Sequence, residues 1–168
     1  IPQSGSRVAL IKISDTRENL FLRRALEAET VRQLAPTASR DLLEQLASNI
    51  RYQQAAIETQ DLRGFHAFDL AFHALLQDHL GFERVRSATE TARLGLDRVR
   101  QLLNTRRRLE LTLREHAAIL AALDAHDGEA AARAMYGHLD AVMAELEHFA
   151  REKPELFADL NSTGGTEP

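Results

Sequence analysis

The 168-residue chain contains no cysteine and no tryptophan, and it has only four prolines and eight glycines. The absence of cysteine excludes a disulfide framework, a thiolate zinc site and a cysteine nucleophile. Sparse proline and glycine beside abundant alanine and leucine favour helices and argue against a β-sandwich or barrel. No apolar run approaches the ~20 residues of a membrane-spanning helix, so we expect no membrane partner. We expect a cytoplasmic location, which the absence of cysteine permits.

The chain also lacks an excess of positive charge, since 21 basic residues face 25 acidic ones and the net charge is −4. DNA affinity depends on clustered positive charge, so the chain by itself is predicted to be a poor DNA binder. Nearly all basic residues are arginine, whose planar guanidinium binds carboxylates through paired hydrogen bonds. The run Arg106–Arg108 is more typical of a solvated helix junction than of a nucleic-acid patch.

Apolar residues recur at helical spacing through most of the chain and predict about six helices of ~20 residues each. The first is predicted to begin with a capping pattern at Asp15 and Glu18 and to end at Pro36. The others are predicted at about 39–58, 61–81, 85–103, 109–123 and 127–151, with a break near 104–108. Short connections between them favour an all-α, antiparallel bundle.

Three of these helices turn an imidazole or a carboxylate towards the interior. Asp69 borders an apolar face of the third helix and His73 follows four residues later, while His116 and His138 lie within the apolar stripes of the last two helices. A buried carboxylate is costly unless a positive group meets it, and residues at i and i+4 lie close enough to share one ion. Nitrogen and oxygen donors of this kind suit Zn²⁺, Ni²⁺ or Mn²⁺. The pattern therefore predicts a divalent-metal site.

Other interpretations of the histidines stay open at this point. An inward histidine is often hydrogen-bonded by a neighbour without any metal. His66 lies on nearly the same side of its helix as His73 and could replace it, and His79 also faces inward. His126 and His148 are expected to face solvent. The chain has no HExxH motif, no glycine-rich phosphate loop and no nucleophile elbow.

Four ordered segments resemble the FCD effector domain of GntR-family bacterial transcription regulators, and the resemblance extends over about residues 14–150. The segments are FLRRALEAETVRQLA at 21–35, FHAFDLAFHALL at 65–76, REHAAILAAL at 114–123 and HDGEAAARAMYGHL at 126–139. The resemblance implies an antiparallel helical bundle with a central cavity, where one Asp and three His hold a divalent metal such as zinc or nickel. On the matching positions these ligands are Asp69, His73, His116 and His138.

The resemblance also implies an effector, a small organic or sugar acid whose carboxylate binds at the metal. Arg23, in an R-x-x-L-E pattern with Glu27, and Arg98 and Arg100, in the segment DRVR, are the matching candidates for effector binding. An ordinary surface or interface role is the alternative for these arginines. Phe82 stands where many relatives have Asn, which is a departure from the family pattern.

The domain organisation follows from the same resemblance. Residues 1–13 are interpreted as a linker and the remnant of a winged-helix wing, 14–152 as an FCD-like effector-binding and dimerisation domain, and 153–168 as a disordered tail. We expect a homodimeric, non-enzymatic sensor that reaches DNA only through a winged-helix domain missing from this chain. The alternatives are a metal-dependent enzyme acting on a small carboxylate, with Glu145 as its general base, and a metal-free module that binds an acyl-type ligand.

Overall fold

The computed structural model describes residues 10–159, so residues 1–9 and 160–168 lie outside the described part of the chain. Seven α-helices follow one another in the described part, and they confirm the all-α prediction. Their bounds are α1 Ile13–Leu34, α2 Arg40–Glu58, α3 Leu62–Leu80, α4 Glu83–Leu94, α5 Asp97–Leu102, α6 Arg106–Asp124 and α7 Gly128–Glu152. Short 3₁₀ turns at Ala35–Thr37 and Pro154–Leu156 follow α1 and α7.

Five of the helices form a closed ring. Helix α1 packs along α7, α7 along α6, α6 along α2, α2 along α3, and α3 returns to α1, while α4 lies against the outside of α1. Helices joined by short turns pack as antiparallel neighbours. The ring therefore encloses a centre to which α1, α2, α3, α6 and α7 can each contribute a side chain.

The main hydrophobic core fills one end of this ring. Its largest fully buried side chains are Leu42, Leu46, Phe72, Leu76, Ile119, Leu123, Met135 and Leu139. Burial of each contributes roughly 1.5–3 kcal/mol relative to exposure. The core ends where the Phe72 ring stacks on the imidazole of His116, with ring centroids 4.0 Å apart and planes inclined by 8°. This contact holds the plane of the His116 ring.

Local signals mark several helix ends where the sequence predicts them. The Asp61 carboxylate accepts a hydrogen bond from the Gly64 backbone N–H at 2.9 Å and starts α3. Gly81 ends α3 with a φ of 73°, a left-handed conformation that favours glycine. Asp127 caps α7 in the same way as Asp61 caps α3, by accepting from the Ala130 N–H at 2.8 Å.

The predicted capping role of Asp15 is wrong. Helix α1 begins at Ile13, two residues earlier, and its preceding residue offers no side-chain cap. Asp159, near the other end of the described chain, supplies the missing acceptors, because its Oδ1 and Oδ2 accept from the Ile13 and Ser14 N–H groups at 2.9 and 2.8 Å. Against the effect of burial, the Ser14 and Ile13 donors lower the pKa of Asp159 to about 2.

The fourth predicted helix is divided in two. The expected break near 104–108 is present, because α5 ends at Leu102 and α6 begins at Arg106. A second break, between α4 and α5, falls at Gly95 and Leu96. The Asn19 side chain of α1 lies where a Cβ of Gly95 would be, with Nδ2 only 2.3 Å from that position. The close approach of α1 therefore coincides with the additional break.

Part of the predicted disordered tail is ordered. Residues 154–156 form a 3₁₀ turn, Phe157 is completely buried, and its backbone forms a parallel β-bridge with Ile11. The reason is apolar contact, since Phe157 packs in a second small core with Ile11, Ile13, Val99 and Leu146. The rest of the predicted tail and nearly all of the predicted wing remnant lie outside the described residues. Within residues 10–159, no helix combines the length and hydropathy that crossing a bilayer requires.

Candidate metal centre and effector cavity

The four residues predicted as metal ligands meet at the centre of the ring. Asp69 and His73 come from α3, His116 from α6 and His138 from α7, and all four are buried. One donor atom from each residue lies within 4.8 Å of the donors of the other three. The polar residues that helical periodicity turns inward on three separate helices therefore meet at one place in the structure.

The distances from Asp69 to two of the three histidines suit a shared ion. Asp69 Oδ1 lies 3.6 Å from His116 Nε2 and 3.9 Å from His73 Nε2. Two donors that each lie about 2.1 Å from one ion can be separated by at most ~4.2 Å, and both distances fall below that limit. The three imidazole rings are also neighbours, with centroid separations of 4.7–5.3 Å.

Each imidazole is oriented through its other nitrogen by a polar residue. His73 Nδ1 lies 2.5 Å from Glu27 Oε2 on α1, His116 Nδ1 lies 2.9 Å from Gln53 Oε1 on α2, and His138 Nδ1 lies 2.8 Å from Glu115 Oε2 on α6. Metal-binding histidines usually donate this second nitrogen to a carboxylate or carbonyl, which fixes the ring and its tautomer.

The arrangement around Gln53 defines the tautomer of His116. The Gln53 amide nitrogen donates to Asn49 Oδ1 at 2.7 Å, so the Gln53 oxygen faces His116 and can only accept. His116 Nδ1 must therefore carry the proton, and its Nε2 presents a lone pair towards Asp69. That Nε2 atom is buried and has no hydrogen-bond partner among the described residues. A buried acceptor without a donor is costly, and a cation at the centre of the four donors fits it.

The charges of the ring centre also suit a cation. Burial lowers the pKa of His116 and of His138 well below the usual value, and the neighbouring histidines lower it further. Burial alone would raise the pKa of the Asp69 carboxyl, but Arg100 and the three histidines hold it well below its usual range. The site therefore combines a carboxylate with at least two imidazoles that are neutral near pH 7, which are the protonation states that metal binding needs.

A cavity of about 260 Å³ opens beside Asp69 and His138. Apolar side chains form one part of its wall, namely Leu62, Phe65, Leu103, Leu109 and Val142. Polar and charged residues form the rest, including Arg63, His66, Arg100, Asn104, Arg108 and Thr112. The volume lies just below the ~300–1,000 Å³ typical of sites for drug-sized ligands. The cavity therefore suits a small molecule with both polar and apolar parts.

The three arginines predicted for effector binding occupy different places. Arg100 lines the cavity, and its Nη1 lies 3.2 Å from Asp69 Oδ2. Arg23 is buried on α1, where its Nε donates to Glu27 Oε1 at 2.5 Å and its Nη2 lies 3.5 Å from His73 Nε2. Arg23 is thus beside the metal donors and outside the cavity wall. Arg98 is exposed on the solvent side of the short helix α5, so it does not line the cavity.

The remaining histidines lie outside the donor group. His66 lines the cavity one turn before the donors of α3, so it does not replace His73. The prediction that His79 faces inward is wrong, because the residue is exposed near the end of α3, where its Nδ1 lies 2.9 Å from the Leu75 carbonyl oxygen. His126 and His148 are exposed, as the sequence predicts.

Four residues of the site were not predicted as site residues from the sequence. Gln53 occupies a position in the apolar stripe of α2, so a polar residue at helical spacing was the available signal. Arg108 and Glu115 lie seven residues apart, a spacing that places them on the same side of α6, but only the tertiary structure shows that Glu115 also contacts His138. Glu27 was visible only as part of the R-x-x-L-E pattern.

Comparisons with known proteins identify the family of the chain. Residues 18–141 match the FCD domain family. The HTH-type transcriptional repressor RspR of Escherichia coli strain K12 is 31% identical over 159 residues, which cover 94% of this chain and 70% of that protein. An uncharacterized HTH-type transcriptional regulator from an unstable DNA locus of Streptomyces ambofaciens is 30% identical over 158 residues, covering 94% of this chain and 66% of that protein. The chain therefore belongs to the FCD domain family, found in GntR-type regulators of transcription.

Proposed function

We propose that this domain senses a small organic or sugar acid at a divalent-metal site and passes the signal to a winged-helix DNA-binding domain. The metal, zinc or nickel, would be held by Asp69, His73, His116 and His138. The observation that carries the proposal is the set of four buried donors within 4.8 Å, each histidine oriented by its own partner. The match to the FCD family and the relatives named as transcriptional regulators support the regulatory role.

The position of the cavity supports an acidic effector. A divalent ion held by the four donors would supply positive charge, and an ion that expands to five or six ligands could also accept a carboxylate oxygen. Arg100 borders both the cavity and Asp69, so its guanidinium can bind the same carboxylate. Arg23 holds Glu27, and through it His73, so we assign it to the orientation of the ligands. Arg98 lies away from the cavity, and we assign it no contact with the effector.

The signal requires two arrangements of the domain with different affinities for the effector. An effector shifts the population of the two arrangements only by its difference in affinity for them. We propose that the domain acts as a cytoplasmic homodimer, because two-fold symmetric operators are bound by two-fold symmetric proteins. The spacing of the two DNA-binding domains then changes with effector binding.

The proposal of a sensor is favoured over that of an enzyme by the position of Glu145. A metal-dependent hydrolase needs a general base that can reach a metal-bound water. Glu145 Oε1 instead accepts from Arg107 at 3.3 Å and its Oε2 lies 3.8 Å from Arg108, and the residue does not line the cavity. The base named for the alternative is therefore already engaged by two arginines.

Metal analysis tests the proposal directly. The chain is equilibrated with Zn²⁺ or Ni²⁺, dialysed and measured by elemental analysis, together with His116→Ala and the matched control His148→Ala. We expect one ion per chain in the wild type and in the control, and a clear loss in His116→Ala with helicity preserved in circular dichroism. Equal metal content in all three proteins would contradict the assignment.

A thermal-shift screen then tests the effector class. Small organic and sugar acids are screened with and without a chelator, because a ligand at a hundred times its Kd stabilises the folded state by about 2.7 kcal/mol. Acids that stabilise only the metal-loaded protein support the proposal. An equal shift in the chelated protein would favour the metal-free binding module, and conversion of a stabilising acid into a product would favour the enzyme.

A further inference from the structure

Arg108 differs from the two arginines that precede it. Its side chain is 7% exposed, whereas those of Arg106 and Arg107 are 66% and 79% exposed. It lies in the first turn of α6 and lines the cavity beside His138. A buried guanidinium is costly unless anionic or polar partners meet it. The partners of Arg108 therefore indicate the role of this part of the cavity wall.

One carboxylate oxygen connects Arg108 to the candidate metal centre. Arg108 Nη2 donates to Glu115 Oε2, and the same oxygen accepts from His138 Nδ1 at 2.8 Å. Arg108 Nε also donates to Thr112 Oγ1 at 3.1 Å, which fixes the plane of the guanidinium. Glu115 thus holds a cavity arginine and a donor histidine in a constant relative position.

The Arg108 guanidinium retains N–H donors that no described residue binds. Arginine has five N–H donors, and in the part of the chain that the structure describes Arg108 uses Nε and one N–H of Nη2. No described residue binds its Nη1. Arg100, which pairs with Asp69, and Arg108, which is linked to His138 through Glu115, therefore both line the cavity beside the donor group.

We propose that Arg108 binds the carboxylate of the effector together with Arg100, and that Glu115 is the positioning residue that holds Arg108 and His138. This inference rests on the proposed function. It also names the ligand chemistry more closely, because Arg100 and Arg108 line the same cavity as the apolar wall. The compound that fits is a small carboxylate whose acid group lies at the Arg100–Arg108 edge and whose remainder contacts the apolar wall.

The geometry predicts opposite effects of two substitutions on metal affinity. Arg108→Gln removes a positive charge near the ion, so the affinity for Co²⁺ should be equal to or higher than that of the wild type. Glu115→Gln removes the negative charge behind His138 and leaves Arg108 uncompensated, so Co²⁺ affinity should fall by about 10- to 100-fold. If Arg108 had only a structural role, both substitutions would lower the affinity for Co²⁺.

The experiment uses the full chain loaded with Co²⁺, whose visible absorption bands respond to a change in coordination. Acetate is the probe, acetamide is its uncharged control, and Arg107→Gln is the matched control variant. We expect acetate, and not acetamide, to change the bands of the wild type and of Arg107→Gln with a saturable Kd. In Arg108→Gln that Kd should rise about tenfold or more, because a hydrogen-bonded ion pair is lost.

Two results would overturn the inference while leaving the metal site intact. One is an acetate Kd in Arg108→Gln equal to that of the wild type, and the other is a wild-type Co²⁺ spectrum that acetate does not change. A loss of Co²⁺ affinity in Arg108→Gln as large as that in Glu115→Gln would overturn it as well, since it would indicate a structural role. Absence of Co²⁺ bands in the wild type would instead refute the proposed metal site itself.

Discussion

Replacement of Gln53 by leucine provides a strict test of how the metal centre is organised. Gln53 is completely buried, and its oxygen is the acceptor for His116 Nδ1–H. Its amide nitrogen is held by Asn49 Oδ1, and the Asn49 nitrogen donates to the Phe68 carbonyl at 3.0 Å. Leucine has a similar volume but no acceptor, so all four donors remain while the tautomer and ring of His116 are no longer fixed.

The expected magnitude follows from the role of such partners. Loss of a hydrogen-bond partner behind a metal ligand typically lowers metal affinity by about 10- to 100-fold, which corresponds to about 1.4–2.8 kcal/mol. The effect should stay below that of His116→Ala, which removes a donor. Phe72 still stacks on the His116 ring in the variant, so part of the orientation is retained and the lower half of this range is expected.

Competition with a chromophoric chelator measures the Zn²⁺ affinity of each variant. Gln54→Leu is the matched control, since Gln54 is the next residue on α2 and its side chain lies on the surface, where it donates to Glu58 at 2.7 Å. Imidazole ¹H–¹⁵N correlations of the metal-free wild type should show the proton of His116 on Nδ1. A proton on Nε2, or equal Zn²⁺ affinities of Gln53→Leu and the wild type, would refute the reasoning.

Two further predictions concern the contact between the ends of the described chain. Phe157→Ala should lower the free energy of unfolding by about 3 kcal/mol in urea denaturation, because a completely buried ring is lost, whereas the exposed Phe21→Ala should have little effect; equal effects would contradict the burial of Phe157. Asp159 has a pKa lowered to about 2 in the folded state, so its stabilising contribution is complete above its unfolded pKa of about 3.9 and is lost as pH falls towards 2. The difference in melting temperature between the wild type and Asp159→Asn should therefore be constant from pH 7 to about pH 5 and shrink in more acidic buffer. A difference that grows below pH 5 would contradict the stabilising role of the ionised carboxylate.

Features that depend on local sequence could be predicted. Asp61 and Gly81 mark the two ends of α3 because capping and the left-handed φ are properties of a few consecutive residues. The inward direction of His116 and His138 follows from the 3.6-residue period of their own helices. Convergence of the four donors then needed only the bundle architecture that the family resemblance implied.

Features that depend on long-range contacts could not be predicted. The break at Gly95 accompanies the approach of α1, which the segment 85–103 does not encode by itself. The acceptor of the first N–H groups of α1 is Asp159, 146 residues away in the sequence from Ile13. The positions of the arginines depend on tertiary packing as well. Only the packing of α5 and α6 shows that Arg100 and Arg108 line the cavity, whereas Arg98 is exposed.

The charged and polar groups at the centre of the ring are costly to bury in a helical bundle. Replacing buried charged groups by apolar side chains of similar volume is often neutral or stabilising. The neighbouring part of the ring is filled by Leu, Ile and Phe side chains in this way. Around the centre, Glu27 is compensated by Arg23, and Asp69 by Arg100. His116 Nε2 alone among the candidate donor atoms is both buried and without a hydrogen-bond partner in the described residues. A cation there would satisfy this atom, and metal binding to the folded state should increase the free energy of unfolding with the logarithm of the ratio of metal concentration to Kd.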